Sequence, residues 1–422
     1  MSKSPAPESW LRRQAKRAAR SLARRMRELG QVEPEGFDLD DIPRADVALY
    51  FPDGPPKLYQ LTQWLPVFES KRDVTTLVIV RQVEAYDALM GRTSLRVILV
   101  PRYENLMALL DRADFHAVVY VNNGWTNFQA LSFQRAVHIH VNHGESDKIC
   151  MVSNQAKAYD RVFVAGEAAV RRHRAALAWF EESHLVRVGR PQLDLDISPA
   201  LPNSPRTTIT YAPTWEGEDE ANNYSSVDRY GLPIIQAALA QPDARVVYKP
   251  HPRVADSNDP RIRQGHESIV KAMNAAMADD PGAGHVILLA ADMLGVIRST
   301  DVLIADISSV TLDHLYLRPN APIVLTDRRS DRTMLLTESP VAGAAHIVDA
   351  STIDSLAADL AAIIAQDDLS ADRSRVRDLY FDGIEPGEST ARFWAELNRA
   401  IVEHDEALRS LSRVRTVVED VT

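Results

Sequence analysis

From Asp46 onward, short apolar runs rich in β-branched residues alternate with segments of helical periodicity, and this alternation most constrains the fold. Strands separated by helices pair in parallel through right-handed crossovers, which gives a sheet covered by helices on both faces. We therefore predict two successive series of parallel strands. They cover residues 46–51, 75–80, 95–100, 117–121, 137–141, 161–165 and 185–189, then 207–212, 245–249, 285–289, 301–306 and 322–325.

A proline-rich segment separates the two series and predicts a hinge. Residues 198–206 (SPALPNSPR) hold three prolines among small polar residues, which is typical of a linker. We therefore predict two doubly wound Rossmann-like α/β domains, over 45–197 and 207–366, with C-terminal helices over 367–422 that can cross back onto the first domain. No apolar run approaches the roughly 20 residues of a membrane-spanning helix. The single cysteine, Cys150, excludes an internal disulfide and suits a reducing cytosol.

The net charge of −10 is distributed unevenly along the chain. Residues 1–30 hold nine basic and two acidic side chains, about +7, which leaves about −17 on the remainder. Apolar residues of this arm form one helical stripe, at Leu11, Ala15, Ala18, Leu22, Met26 and Leu29. The pattern predicts an amphipathic helix that contacts an anionic membrane surface, with a helix packed on the body or a self-pairing coil as alternatives. The acidic body argues against nucleic acid as a partner.

Binding and catalytic residues are expected in the loops directly after the strands, because open parallel sheets bind ligands beyond the carboxyl ends of their strands. If the two domains face each other across the hinge, four such loops line one cleft. The loops are Asn142-His143-Gly144, Pro213-Thr214-Trp215, Pro250-His251-Pro252-Arg253 and Ile307-Ser308-Ser309.

Two of these loops suit a phosphate group. Ser308 and Ser309 precede a predicted helix, so their hydroxyls and the free backbone N–H groups converge on one point, although a plain serine cap explains the same pattern. His251 stands between two prolines and beside Lys249 and Arg253. It can carry a proton or stabilise charge on a transferred phosphoryl group. The alternative interpretation of His251 is a surface histidine in a turn without a catalytic role.

The segment VHIHVNH raises a metal-binding alternative. His138, His140 and His143 have a spacing similar to that of metallo-β-lactamase-type hydrolases, but Asn142 stands where those enzymes have an aspartate. We therefore assign no metal site and expect no cofactor, since the sequence also has no Walker A, G-x-G-x-x-G, G-x-S-x-G or H-E-x-x-H motif. Two D-x-D pairs, at 38–40 and 194–196, are interpreted as solvated.

Taken in order, the loops resemble the CDP-glycerol glycerophosphotransferase family of teichoic-acid and capsule synthesis. Two departures lie inside the resemblance: HGESDK at 143–148 where the family often has H-G-T-x-x-K, and ADISS at 305–309 where it has T-D-Y-S-S. The matching residues are His143-Gly144 with Lys148, Gly189-Arg190-Pro191 with Asp194, ITYAPTW at 209–215, His251-Pro252, the run 301–309 that includes Asp306, Asp313 and Arg318-Pro319.

The resemblance implies a glycosyltransferase-B fold and a phosphotransferase, with the domain over 45–197 on the acceptor side and the domain over 207–366 on the CDP-donor side. It implies transfer of glycerol phosphate, or a related polyol phosphate, from CDP-glycerol or CDP-ribitol to a hydroxyl of a lipid-linked cell-wall or capsule polymer, with release of CMP. Functional histidines carry over to His143 and His251, and phosphate contacts to Ser308 and Ser309. On position alone we add Thr214, Lys249 and Arg253 to the phosphate contacts.

The same resemblance predicts a cytoplasmic enzyme held peripherally at the inner face of the cell membrane, and it is compatible with a homo-oligomer. Two other functions stay open at this point. A glycosyltransferase of the same fold would use a nucleotide sugar, and UDP or GDP rather than CDP would stabilise it against unfolding. A catalytically silent scaffold would gather partners at the membrane and turn over no CDP-polyol.

Overall fold

Two fully parallel sheets form the framework of the molecule. The computed structural model describes the backbone of residues 39–419 and the side chains of residues 39–411 apart from Ile149. The prediction of two doubly wound α/β units is confirmed, whereas the predicted helix over 1–30 lies outside the described residues. Within 39–419, no helix combines the length and the apolar character needed to span a bilayer.

The first sheet has the strand order β3-β2-β1-β4-β5-β6-β7, and every neighbouring pair is parallel. Connections leave β1 and β4 in opposite directions, so a crevice opens between these two strands at their carboxyl ends. The strands are β1 (Val47–Phe51), β2 (Thr76–Val80), β3 (Arg96–Leu99), β4 (Ala117–Tyr120), β5 (Val137–His140), β6 (Arg161–Val164) and β7 (Leu185–Arg187).

The second sheet repeats this arrangement with the order β10-β9-β8-β11-β12-β13, again all parallel. Strand β13 is absent from the sequence prediction, because its apolar run is only Ile347 and Val348, between His346 and Asp349. The strands are β8 (Thr207–Ala212), β9 (Ala244–Tyr248), β10 (Val286–Ile287), β11 (Val302–Ala305), β12 (Ile323–Thr326) and β13 (His346–Val348).

Helices connect the strands and cover the sheets. Those of the first half are α1 (Tyr59–Thr62), α2 (Leu65–Ser70), α3 (Val83–Leu89), α4 (Tyr103–Ala113), α5 (Asn127–Ala130) and α6 (Glu167–Ala176). Those that follow are α7 (Gly231–Leu239), α8 (Pro260–Asp279), α9 (Met293–Arg298), α10 (Ser309–Leu317), α11 (Arg332–Glu338), α12 (Leu356–Ala365), α13 (Ser370–Phe381) and α14 (Ser389–Glu419).

The last helix, α14, packs on the first sheet. Phe393, Trp394 and Leu397 belong to the apolar core that contains Trp64 and Phe68. The ring centroid of Phe393 lies 5.3 Å from that of Trp64 and 5.8 Å from that of Phe68. Aromatic burial of this kind contributes a large share of core stability, so the C-terminal segment completes the first half of the molecule.

Asp194 anchors the start of α14. Its carboxylate accepts hydrogen bonds from the backbone N–H groups of Gly387 at 2.8 Å and Thr390 at 2.6 Å, and from the Tyr316 hydroxyl at 3.2 Å. A negative charge is favourable at a helix N-terminus. The interpretation of Asp194 as a solvated member of a D-x-D pair is therefore wrong, while Asp38 of the other pair lies outside the described residues.

Candidate functional site

Contacts across the cleft join loops at the carboxyl ends of the two sheets. Lys148 Nζ, from the loop after β5, donates to Thr214 Oγ1 after β8 at 2.8 Å. Gly144 lies so close to Ser309 that a Cβ at Gly144 would stand 3.3 Å from the Ser309 Cβ. Burial lowers the pKa of Lys148. The structure thus brings Gly144, Lys148, Thr214 and Ser309 together.

His143 stands in the loop after β5, where the backbone turns at Asn142 with φ 54°. Asn142 Oδ1 accepts a hydrogen bond from His143 N at 2.8 Å, and the Asn142 carbonyl accepts one from Trp64 Nε1 at 2.6 Å. Burial, together with the charges of Arg190 and Lys57, lowers the pKa of His143 to about 4. The imidazole is therefore neutral near pH 7, and its Nδ1 has no hydrogen-bond partner among the described residues.

His251 is held in a fixed orientation after β9. Its backbone N–H donates to the Pro213 carbonyl at 3.0 Å, and its Nδ1 accepts a hydrogen bond from Arg253 N at 3.2 Å. Because Nδ1 accepts, the proton of the neutral ring lies on Nε2, which stays available as a donor. Burial and the charges of Lys148, Lys249 and Arg253 lower the pKa of His251 to about 3.

One phenol ring contacts both histidines. The Tyr59 ring centroid lies 5.8 Å from that of His143 and 6.1 Å from that of His251, edge-on in each case. Tyr59 is 39% exposed and follows β1. The sequence analysis missed it, although the rule about carboxyl ends, applied to β1, leads to this loop. Tyr59 therefore contacts one histidine from each half of the molecule.

Ser308 presents an unused hydroxyl at the start of α10. It is the N-cap residue of that helix, yet its side chain forms no cap hydrogen bond. The residue is 8% exposed, and its Oγ has no hydrogen-bond partner within the described part of the chain. Buried hydroxyls are normally bonded, and a helix N-terminus attracts anions. The site therefore favours an anionic ligand over a plain serine cap.

Lys249 and Arg253, the two other predicted phosphate contacts, differ in their exposure to solvent. Lys249 is buried, its Nζ donates to the Pro250 carbonyl at 3.3 Å, and burial lowers its pKa. Arg253 is exposed, stacks 3.8 Å from the Trp215 ring centroid, and pairs with Glu218 at 3.2 Å. Arg253 is thus the more accessible of the two charges.

Asp306 lies beneath the cleft and supports it. Its carboxylate accepts hydrogen bonds from Thr214 N at 2.7 Å, Ser226 N at 3.3 Å and Thr326 Oγ1 at 2.6 Å. Burial raises the pKa of Asp306, and these hydrogen bonds oppose that rise. Asp306 therefore positions Thr214, and this supporting role requires no contact between Asp306 and a ligand.

A buried ion pair joins the loop after β7 to α10. Arg190 Nη1 lies 2.8 Å from Asp313 Oδ1, and both side chains are nearly inaccessible to solvent. Burial raises the pKa of Asp313 to about 6, which the charge of Arg190 opposes. The pair fixes α10, and with it Ser308, against the first half of the molecule.

The HGESDK departure from the family pattern has a structural explanation. Glu145 and Asp147 both form ion pairs with Arg172 of α6. Asp147 also accepts hydrogen bonds from the Ser339 hydroxyl at 2.7 Å and from the Tyr380 hydroxyl. Burial raises the pKa of Asp147 to about 6. These acidic side chains are engaged in a buried network that also holds the two halves together.

Among the described residues, His138, His140 and His143 do not form a group with metal-ligand spacing. The ring of His138 is bonded to the neighbouring strand and to the loop before β5. Within residues 39–419, the one group with suitable ligand spacing is His346, Asp367 and Asp368. Asp367 already forms an ion pair with Arg373. The metallo-hydrolase alternative therefore finds no support in this part of the chain.

Known proteins share this fold. Residues 115–394 match the family model described as CDP-Glycerol:Poly(glycerophosphate) glycerophosphotransferase. The wall teichoic acid polymerase TagF is similar, with a TM-score of 0.56 and 13% identity over 94% of this chain and 99% of that chain. A TagF structure soaked with CDPG has a TM-score of 0.55 and 13% sequence identity, and the match covers 94% of this chain and 99% of that chain.

A candidate UDP-N-acetylglucosamine 2-epimerase from Listeria monocytogenes has a TM-score of 0.57 and 12% identity, and the match covers 85% of this chain and 97% of that chain. Comparison with curated proteins gives no match.

Two substitutions separate the roles of Ser308 and Asp306. We expect Ser308→Ala to change the free energy of unfolding by less than about 1 kcal/mol, the usual cost of a lost serine cap, because its hydroxyl makes no cap bond. We expect Asp306→Ala to cost about 3 kcal/mol or more, because it leaves buried donors without acceptors. Urea denaturation measures both. A loss for Ser308→Ala as large as that for Asp306→Ala would mean that the hydroxyl has a structural partner.

Proposed function

The chain belongs to the CDP-glycerol:poly(glycerophosphate) glycerophosphotransferase family, and we propose that it transfers glycerol phosphate, or a related polyol phosphate, from a CDP-activated donor to a hydroxyl of a lipid-linked cell-wall or capsule polymer. The observation that carries this proposal is the contact of one tyrosine, Tyr59, with two neutral histidines, His143 and His251, one from each half. The residue after His143 lies against Ser309, at the helix start where the Ser308 hydroxyl has no hydrogen-bond partner among the described residues. CDPG in a TagF structure supports the choice of donor.

The donor diphosphate would lie at the N-terminus of α10. Ser308, Ser309 and the first backbone N–H groups of that helix would donate to its oxygens, and the helix dipole favours its negative charge. Thr214, held by Lys148 and Asp306, would add a hydroxyl. Arg253 and, at longer range, Lys249 would balance the remaining charge.

The reaction would be one displacement at phosphorus. The acceptor hydroxyl oxygen attacks the β-phosphorus of the donor, the new P–O bond forms, and the bond from that phosphorus to the CMP oxygen breaks. His143 accepts the proton of the hydroxyl, and CMP leaves with the electron pair. His251 donates from Nε2 to a phosphoryl oxygen, where negative charge develops. Closure of the cleft would exclude water and favour transfer over hydrolysis.

Loss of either histidine should abolish most of the turnover. We expect His143→Ala and His251→Ala each to lower CMP release from CDP-glycerol, with a lipid-linked acceptor analogue, by about 10²-fold or more, the usual contribution of a positioned proton-transfer group. The matched control is His116→Ala, since His116 precedes β4 at the amino end of the sheet and pairs with Asp405. CMP is quantified by chromatography.

Two outcomes would contradict this assignment. CMP release at the wild-type rate in both histidine variants would remove their proposed roles. Thermal stabilisation of the wild type by UDP or GDP, but not by CDP, would favour the glycosyltransferase alternative.

The lowered histidine pKa values predict the pH dependence. Because the pKa of His143 is about 4, the base is neutral at every pH above that value, so kcat/KM should stay constant from pH 8 to about 5 and fall at lower pH as the imidazole takes up a proton. The kcat profile should break at a higher pH, because a bound diphosphate favours the protonated ring. Circular dichroism at each pH checks the fold. A break in kcat/KM near 6.5, the ordinary histidine value, would contradict the prediction.

The basic arm over 1–30 supports a proposed place at the inner face of the cell membrane. Deletion of residues 1–30 should weaken binding to vesicles of anionic phospholipid by tenfold or more, since each basic residue near such a surface contributes about 1 kcal/mol. The Kd for CDP-glycerol should not change, because the proposed donor site lies within 39–419. Co-sedimentation with vesicles measures the effect, and neutral vesicles are the control. Unchanged binding to anionic vesicles would leave the arm without this role.

A further inference from the structure

The crevice of the first sheet opens between β1 and β4, at the carboxyl ends of these strands. Such crevices are where open parallel sheets bind ligands. The second sheet has its own crevice between β8 and β11, which the proposed donor site occupies. The first crevice therefore stands free in the proposed mechanism, on the same cleft.

Polar side chains from both of its loops form one hydrogen-bonded row. Lys57 Nζ donates to Asp53 Oδ1 at 3.2 Å, and Asn122 Nδ2 lies 2.9 Å from Asp53 Oδ2. Asn122 Nδ2 also lies 3.0 Å from Gln60 Oε1, and Gln60 Nε2 donates to the Tyr59 hydroxyl at 3.3 Å. We name these five residues, together with Trp125, the β1–β4 shelf.

An exposed aromatic pair begins in the loop after β4, one residue beyond Gly124, where a Cβ would stand 3.2 Å from Asp53 Oδ2. Trp125 is 79% exposed and packs against Phe128, with ring centroids 5.2 Å apart. A polyol has carbon-bound hydrogens that can cover an indole face, and hydroxyls that can both donate and accept. Asp53 accepts from hydroxyls, the Tyr59 proton can be donated outward, and the Lys57 ammonium suits a phosphate oxygen. The chemistry of the shelf thus matches a polyol phosphate.

The row ends at the reacting groups. Tyr59 contacts the rings of both His143 and His251, and Lys57 is near enough to His143 to lower its pKa. We propose that the β1–β4 shelf binds the polyol-phosphate end of the acceptor, and that Tyr59 directs the attacking hydroxyl toward His143. This inference rests on the proposed function and adds the residues that hold the second substrate within the first half.

The test compares variants that spare the donor site. In Trp125→Ala, the KM for a soluble glycerol-phosphate oligomer should rise tenfold or more, while the Kd for CDP-glycerol stays unchanged. In Tyr59→Phe, which keeps the ring contacts with both histidines, the same KM should rise about two- to tenfold, the range of one hydrogen bond. Trp179→Ala is the matched control, because Trp179 is 98% exposed and lies between α6 and the edge strand β7, away from the β1–β4 crevice. It should leave both constants unchanged.

Binding of the oligomer without donor, measured by calorimetry, keeps this proposal separate from the proposed reaction. We expect binding to the wild type and to Trp179→Ala, and at least tenfold weaker binding to Trp125→Ala. Equal binding by the two tryptophan variants, or no binding to the wild type, would overturn the shelf proposal. Trp125-dependent binding in a protein that releases no CMP from CDP-glycerol would support the shelf and contradict the proposed donor.

Discussion

The geometry of the cleft depends on the buried ion pair between Arg190 and Asp313. One partner follows the last strand of the first sheet, and the other lies on the helix that begins at Ser309. Taking two charges out of water is costly, and removing one partner from such a pair typically costs about 3–5 kcal/mol, because the other charge stays buried. The pair therefore holds the helix N-terminus against the loop of His143. Gly144 permits that approach, since a side chain there would press on Ser309.

Each sheet is proposed to bind one of the two substrates. Both reverse their strand order near the centre, so each has a crevice at the same relative position. In the second sheet, the crevice has a buried acid, Asp306, that fixes the surrounding loops through hydrogen bonds. In the first sheet, the side chains form a row in which Asn122 and Gln60 are buried and Lys57 and Tyr59 are exposed. A site fixed around a buried acid for the charged donor, and a site with exposed ends for the polymer, suit the different sizes of the two proposed substrates.

Most strands could be predicted because burial on both faces of a parallel sheet requires continuous apolar runs, as in β1, β2 and β4. Their carboxyl ends then indicated where His143, His251 and Ser308 would lie. Tyr59 was missed because its contact with His251 arises only when the two sheets dock. Asp194 was misinterpreted because a D-x-D pattern looks the same whether the carboxylate faces water or binds the start of a distant helix. Sequence spacing records neighbours along the chain, and these two contacts join distant segments.

The position of α14 also has a consequence for biosynthesis. Trp64, Phe68 and Phe163 pack against Phe393, which follows the whole second half along the sequence. Domains usually fold in order as they leave the ribosome. Here the first half cannot bury its aromatic face until the second half and the start of α14 have been synthesised. The nascent first half therefore exposes apolar surface throughout translation of the second, and such surface is prone to aggregation.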